Sequence, residues 1–339
     1  MKLRNIGSTK VSAEGLGCMG MSESYGTPDL EEARRTIKAA YRAGINFFDT
    51  ADIYAYGDNE ILVAEALKEF PRDSYFIATK GGILRDRVDP ALRGVDNSPI
   101  YMISAVNASL ARLKLDYIDL YYIHRIANGG KEIESSIAAL AELVKAGKIR
   151  NIGLSEANEE TIRKAHAIHP IAAVQTEYSL WRRDPETDGV METCRELGIT
   201  FIPYSPLGRG FLTGTIYPAE LEKDDIRKAL PRFQGENLKH NMEIVKGVQK
   251  MATEKGCTPA QLALAWVLAQ GNNVIPIPGT KREKYLLENI AALDIDLTDE
   301  DLNRLDRIAP IGSAKGTRYT SASMKAFGFE NDTDNAEEK

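Results

Sequence analysis

The chain has 339 residues, of which 43% are hydrophobic and 27% charged. That balance belongs to a globular protein and excludes a largely disordered chain, which lacks the apolar area to offset its ordering entropy. Lysine and arginine number 43 against 49 acidic residues, a net charge of −6, so no nucleic-acid partner is expected. No apolar run approaches the ~18–20 residues that span a bilayer. Met1-Lys2-Leu3-Arg4-Asn5 leads into no signal core, and a cytoplasmic protein without membrane contact is expected. The dispersed Cys18, Cys194 and Cys257 read as reduced thiols, not a disulfide framework. Only His166 and His169 lie close together, without Cys or acidic neighbours that would make a metal site, so no metal is expected.

In chain order, short β-branched or aromatic runs alternate with amphipathic helical stretches. Gly15–Gly20 is a weak first strand. Thr27-Pro28-Asp29 predicts a helix start, with a capping hydroxyl before proline at the first helical position. Leu30, Ala33, Ile37 and Ala40 then recur at helical spacing, and Gly44 ends the helix. Asn46–Thr50, Tyr75–Lys80 and Tyr117–His124 follow as strands two to four. Ile137, Leu140, Val144 and the terminating Gly147 repeat the helical scheme before strand five, Ile149–Ser155. Ala172–Glu177 is strand six; Val190, Cys194, Leu197 and Gly198 mark another helix; Thr200–Ser205 and Asn273–Thr280 are strands seven and eight. Such alternation means parallel strands with right-handed crossovers. About eight strands close a parallel barrel, and the pattern runs on without a linker. A single (β/α)8 TIM barrel over residues 1–319 is therefore preferred to a doubly wound sheet. Leu207–Asn272, between strands seven and eight, is too long for one helix, and its Gly- and Pro-rich first part reads as an excursion over one face. Residues 320–339 read as an acidic, flexible C-terminal tail.

Polar residues recur at the strand ends, where barrel enzymes carry their chemistry: Asp49, Lys80, His124, Ser155, Gln175, Tyr204 and Thr280. In a barrel, Asp49, Lys80 and His124 end neighbouring strands, and Tyr54 sits in the loop after Asp49. A tyrosine has a pKa of about 10, and an adjacent ammonium draws it toward the working range. A carboxylate keeps that lysine charged, and a neutral imidazole can bind a substrate oxygen. Such a set can protonate a carbonyl oxygen while hydride reaches its carbon.

These residues lie in stretches that together resemble the aldo-keto reductases. The stretches are Gly15–Met21 (GLGCMGM), Phe47–Gly57 (FFDTADIYAYG), Ala78–Gly81 (ATKG), Tyr117–Arg125 (YIDLYYIHR), Gly147–Glu156 (GKIRNIGLSE), Val174–Tyr178 (VQTEY), Pro203–Gly210 (PYSPLGRG) and Ile277–Asn289 (IPGTKREKYLLEN). The likeness runs from Leu3 to about Tyr319, and PYSPLGRG and PGTKR look most like the auxin-induced-like or pyridoxal-reductase-like branch. It implies a (β/α) barrel that reduces aldehydes or ketones with a nicotinamide cofactor. The catalytic tetrad it implies is Asp49, Tyr54, Lys80 and His124, with Tyr54 as proton donor.

The resemblance also implies a cofactor site. Tyr204 would stack on the nicotinamide, Ser155 and Gln175 would hold its carboxamide, and Gly20, Met21 and Gly279 would lie beside the cofactor. Ser205, Leu207, Gly208 and Arg209 would line the pyrophosphate; Thr280, Lys281, Arg282, Glu288 and Asn289 would hold the adenosine end. NADPH is the expected cofactor, because Lys281 and Arg282 offer paired positive charge where a ribose phosphate would lie. Tyr25, Ile53, Tyr56 and Trp181, with Met21, are expected near the pocket mouth, which favours an apolar carbonyl substrate. Three positions depart from the family pattern: Glu156 stands for asparagine, Tyr285 for arginine, and Ala127 for an acid. Two other readings are a nicotinamide-binding regulatory or sensor barrel with little turnover, and a Schiff-base aldolase. The aldolase needs a lysine of depressed pKa, which Asp49 opposes.

Overall fold

The computed structural model describes residues 1–89 and 92–326. It opens with an antiparallel hairpin, β1 (Leu3–Ile6) and β2 (Thr9–Ser12), turned at Gly7-Ser8 with Gly7 at φ 55°. The parallel barrel follows: β3 (Leu16–Gly17), β4 (Phe47–Asp49) and β5 (Phe76–Gly81). A second hairpin, β6 (Ile83–Arg85) and β7 (Arg93–Val95), is inserted before β8 (Ile118–Ile123), β9 (Ile149–Ser155), β10 (Ile171–Glu177) and β11 (Thr200–Tyr204). Strands β3, β4, β5, β8, β9, β10 and β11 are neighbours in that order.

Helices α1 (Leu30–Arg42), α2 (Asp58–Leu67), α3 (Pro99–Leu113), α4 (Ile133–Lys145), α5 (Glu159–Ile168) and α6 (Val190–Glu196) occupy the crossovers. Short 3-10 turns, then α7 (Gly235–Lys255) and α8 (Pro259–Leu268), fill the long stretch after β11. The chain continues through α9 (Glu283–Ile290), α10 (Asp299–Ile308) and α11 (Ser321–Ala326). The remainder of the expected tail, 327–339, lies outside the described residues. One start differs from expectation. Helix α1 is capped by Asp29, whose carboxylate accepts the Glu32 N–H at 2.9 Å. Thr27 is drawn away instead: its N–H and hydroxyl both donate to Glu222, at 2.9 and 2.8 Å.

The eighth segment closes the barrel without a continuous ladder. The N–H groups of Ile275 and Ile277 donate to Phe201 and Pro203 at 2.9 and 3.0 Å, while the Pro276 and Pro278 carbonyls accept from Gly15 and Gly17 at 2.9 and 3.3 Å. Proline has no N–H to return, so Pro276 and Pro278 accept across the seam toward β3 without donating back. Parallel bridges Phe201–Val274 and Gly17–Gly279 mark the two sides of the segment.

Strand periodicity then divides the side chains. Phe47, Phe76, Ala78, Leu120, Tyr122, Ala173, Ile202, Ile275 and Ile277 fill the barrel interior, with Ile6 and Val11 of the hairpin packed against them. The alternate residues Phe48, Ile77, Tyr121, Ile123, Ile152 and Leu154 belong to the layer between strands and helices. Because side chains alternate faces, Asp49, Lys80, His124 and Gln175 continue the inward set at the C-terminal rim. Cys18 and Cys194 are buried and Cys257 is half-buried, all three as free thiols. No helix among the described residues is long and apolar enough to cross a membrane.

The closing seam is testable. A Cβ on Gly17 would stand 2.8 Å from the Ile277 carbonyl oxygen. Gly17→Ala is expected to destabilise the fold by about 1–3 kcal/mol, the usual cost of overpacking, read as a lowered thermal midpoint. An unchanged midpoint would mean that the seam yields freely.

Candidate active site

The inward alternation delivers Lys80 to a fully buried position at the rim. Its Nζ lies 2.5 Å from Asp49 Oδ1, 2.8 Å from the Thr50 carbonyl and 3.3 Å from Tyr54 Oη. Asp49 Oδ2 accepts from Gln175 Nε2 at 2.8 Å, so both carboxylate oxygens are engaged. Tyr54 is brought in by a knitted loop. Asp52 N–H donates to the Lys80 carbonyl at 3.0 Å and Tyr54 N–H to Ala51 at 3.2 Å. Behind it, Thr50 Oγ1 donates to Asn59 Oδ1 at 2.6 Å, and Asn59 Nδ2 donates to the Cys18 carbonyl at 2.9 Å. The His124 ring meets the Tyr54 ring edge-on, with centroids 5.8 Å apart. All four expected tetrad residues thus converge.

The electrostatics assign protonation states. Burial alone lowers the Lys80 pKa, but the Asp49 carboxylate and the Tyr54 phenol hold it above its ordinary value, so the ammonium keeps its proton. Burial pushes the Tyr54 phenol above its ordinary value, and the Lys80 charge opposes that shift. The expected downward pull is therefore present but smaller than desolvation. His124 falls well below 6.5 through burial, then the Arg125 and Lys80 charges, and its imidazole is neutral at pH 7.

A cavity of about 590 Å³ runs from Asp49, Tyr54 and His124 to Glu288 and Asn289. That size falls within the ~300–1,000 Å³ of small-molecule and cofactor sites. Gly20, Gln175, Tyr204, Ser205, Leu207, Arg209, Gly279, Thr280, Lys281 and Arg282 also line it. Met21, Ser155 and Gly208 do not. Met21 is buried in the helix-facing core. Ser155 is buried and accepts from Arg125 Nη1 at 3.1 Å. Gly208 faces Trp181, whose ring a Cβ would meet at 2.6 Å.

Tyr25 and Ile53 line the cavity, but Tyr56 and Trp181, expected at its mouth, do not. Trp181 is buried, stacked on Phe211 at 4.3 Å and edge-on to Phe233 at 5.4 Å. Tyr56 turns out of line at φ 57° and lies under the Arg85 guanidinium, 4.1 Å from its ring centroid. Sequence reasoning missed Glu23, Arg85, Arg227 and Tyr319 as lining residues; they come from hairpin and loop segments without a periodic signal.

The excursion after β11 reaches across this cavity. Ile226 N–H donates to the Ser24 carbonyl at 3.0 Å. Lys281 Nζ donates to the carbonyls of Tyr25 and Thr27, at 2.9 and 3.2 Å. Arg282 is exposed at the start of α9. The residue set fits an elongated anionic nucleotide. An aromatic face, Tyr204, stands near the tetrad, and two cations and a helix N-terminus stand at the far end.

Comparison with known proteins agrees with this geometry. Residues 15–310 match the aldo/keto reductase family. The chain belongs to that family. The aldo/keto reductases are oxidoreductases, and this member is 48% identical over 311 residues to probable aldo-keto reductase 1 of Glycine max, covering 91% of this chain and 89% of the relative. Among solved structures, it is similar to a glycerol dehydrogenase from Gluconobacter oxydans, with TM-score 0.82 and 30% identity over 90% of this chain and 94% of that one. It is also similar to an aldo/keto reductase from Klebsiella pneumoniae solved in complex with NADP and acetate, with TM-score 0.71 and 26% identity over 92% of this chain and 96% of that one.

The depressed His124 pKa has a kinetic consequence. With the imidazole already neutral, kcat/KM is expected to stay level as pH passes through the ordinary histidine value of 6.5. A limb centred there that disappears in His124→Gln would contradict the assignment.

Proposed function

We propose that this aldo/keto reductase is an NADPH-dependent reductase of aldehydes or ketones, with Tyr54 as the proton donor. The observation that carries the reading is Lys80 Nζ held between Asp49 and Tyr54, buried behind the cavity wall that Asp49, Tyr54 and His124 form. The bound nicotinamide would supply hydride to the carbonyl carbon. Tyr54, protonated at neutral pH, donates its hydroxyl proton to the carbonyl oxygen. The Lys80 ammonium stabilises the phenolate left behind, and Asp49 keeps that ammonium charged. The neutral His124 ring orients the oxygen without adding a competing positive charge. An NADP complex in the Klebsiella pneumoniae relative supports the choice of cofactor, as do Lys281 and Arg282 at the far end of the cavity.

Two outcomes follow. Tyr54→Phe keeps the ring and removes only the hydroxyl. With NADPH and a panel of aldehydes, ketones and quinones, it should lower kcat by ~10²–10⁴-fold, the usual worth of general acid catalysis. More than half of the wild-type rate would remove Tyr54 from the role. The second outcome concerns the cofactor. Each charge-assisted contact to the ribose phosphate is worth roughly 1.5–3 kcal/mol, about 10–150-fold in affinity. Lys281→Ala with Arg282→Ala should therefore weaken NADPH binding strongly and leave NADH nearly unchanged. Equal weakening of both would make the pair a loop support. Wild-type protein that binds both cofactors equally would overturn the NADPH assignment directly.

A further inference from the structure

Beyond the tetrad, a set of buried charges at the barrel mouth joins the ends of β9 and β10 to the C-terminal segment. Glu156 directly follows β9 with a left-handed backbone, φ 54°, a conformation that non-glycine residues hold only where their surroundings impose it. Its N–H donates to the Gln175 carbonyl at 2.9 Å, and its Oε1 accepts from the Glu177 N–H at 2.9 Å. Its Oε2 lies 2.8 Å from Arg318 Nη2, and Arg318 Nη1 lies 3.8 Å from Glu177 Oε2. The side chains of Arg318 and Glu156 are only 3% and 5% exposed. Burial pushes the Glu156 carboxyl up, but the Arg318 and Arg125 charges and the hydrogen bonds it accepts bring it down to about 2. It is therefore ionised at any working pH.

The next residue reaches the cavity. Tyr319 lines it, with its Oη 3.3 Å from Tyr204 Oη and the Arg209 guanidinium 4.8 Å from its ring centroid. Thr317 Oγ1 donates to the Tyr319 carbonyl at 2.8 Å, tightening the turn around Arg318. One peptide unit separates the buried ionic anchor from the cavity wall, so Arg318 cannot shift without moving Tyr319. The glutamate at 156 and the arginine at 318 belong together. An amide at 156 would deprive the buried guanidinium of the carboxylate it grips.

We propose that the Glu156–Arg318 ion pair seats the C-terminal segment on the barrel mouth. In this arrangement Arg318 is a positioning residue that sets Tyr319 as a wall of the cavity beside Tyr204 and Arg209. The proposal rests on the reductase reading for the identity of the ligand and not for the seating itself. Arg318→Met, Arg318→Lys and the matched double variant Glu156→Gln/Arg318→Met test it. Measurements are steady-state kinetics with 4-nitrobenzaldehyde and NADPH, NADPH binding by fluorescence, and peptide release by chymotrypsin cleavage after Tyr319, read as fragments that begin at Thr320.

Arg318→Met should raise KM for the aldehyde and weaken NADPH binding, each at least tenfold, with kcat at saturating substrates within threefold of wild type. Arg318→Lys should recover part of the loss, and peptide release should quicken at least tenfold in Arg318→Met. If Arg318→Met does not fold, the double variant leaves neither member of the pair charged and carries the same expectations. An unchanged KM with only a lowered thermal midpoint would reduce the pair to a structural role and overturn the proposal. Unchanged peptide release would overturn the seating. Wild-type protein inert toward every carbonyl would overturn the reductase reading alone, and the cleavage assay would still decide the seating.

Discussion

An ammonium group with no exposed surface sits 2.5 Å from a carboxylate at the rim of this barrel. Taking two such charges out of water costs several kcal/mol per ion, and a close pair repays it only if its remaining hydrogen-bonding capacity is met. Here it is met by the Thr50 carbonyl on Lys80 and by the Gln175 amide on Asp49. The pair thereby ties β4, β5 and β10 together across the barrel. It also holds a positive charge against the Tyr54 hydroxyl, on which the proposed proton transfer depends.

The barrel supplies this arrangement through alternation and closure. Inward residues along neighbouring strands change from apolar to polar at one level: Phe47 to Asp49, Ala78 to Lys80, Tyr122 to His124, Ala173 to Gln175. Below that level Tyr122 fills the lumen, and Gly153 makes room for it, since a Cβ there would lie 2.5 Å from the Tyr122 ring. Above it, the excursion after β11 walls the cavity with Arg209 and Arg227, and the C-terminal segment adds Tyr319. The polar floor and the cationic rim are thus separate layers, one built by strands and one by loops.

That division explains what the sequence made legible. Strand ends carry a periodic signal, so Asp49, Lys80, His124, Gln175 and Tyr204 could be placed before any coordinates, and eight strand segments sufficed to count the barrel. The eighth was readable as a strand although Pro276 and Pro278 deny it a full ladder. Loop geometry carries no such period. The hairpin at Leu3–Ser12 did have a signal, a Gly-Ser turn between two short runs, but it was not part of the strand count. The start of α1 moved because Glu222, nearly two hundred positions away, takes the Thr27 hydroxyl. Trp181 left the pocket because Phe211 of the excursion stacks on it and Phe233 meets it edge-on. Nothing in the sequence around Arg318 marked it as buried, and Glu156 was legible only as a departure from the family's asparagine, not as its partner.

Lys80 favours the ionised form of Tyr54 against the opposing effect of burial. The direct measurement is an NMR titration of protein labelled with ¹³Cζ-tyrosine, with the Tyr54 resonance assigned by its loss in Tyr54→Phe. Tyr54 is expected to ionise at a lower pH in the wild-type protein than in Lys80→Met, because only the wild type sets an ammonium 3.3 Å from the phenol oxygen. Equal titration in the two proteins, or a higher pKa in the wild type, would contradict it.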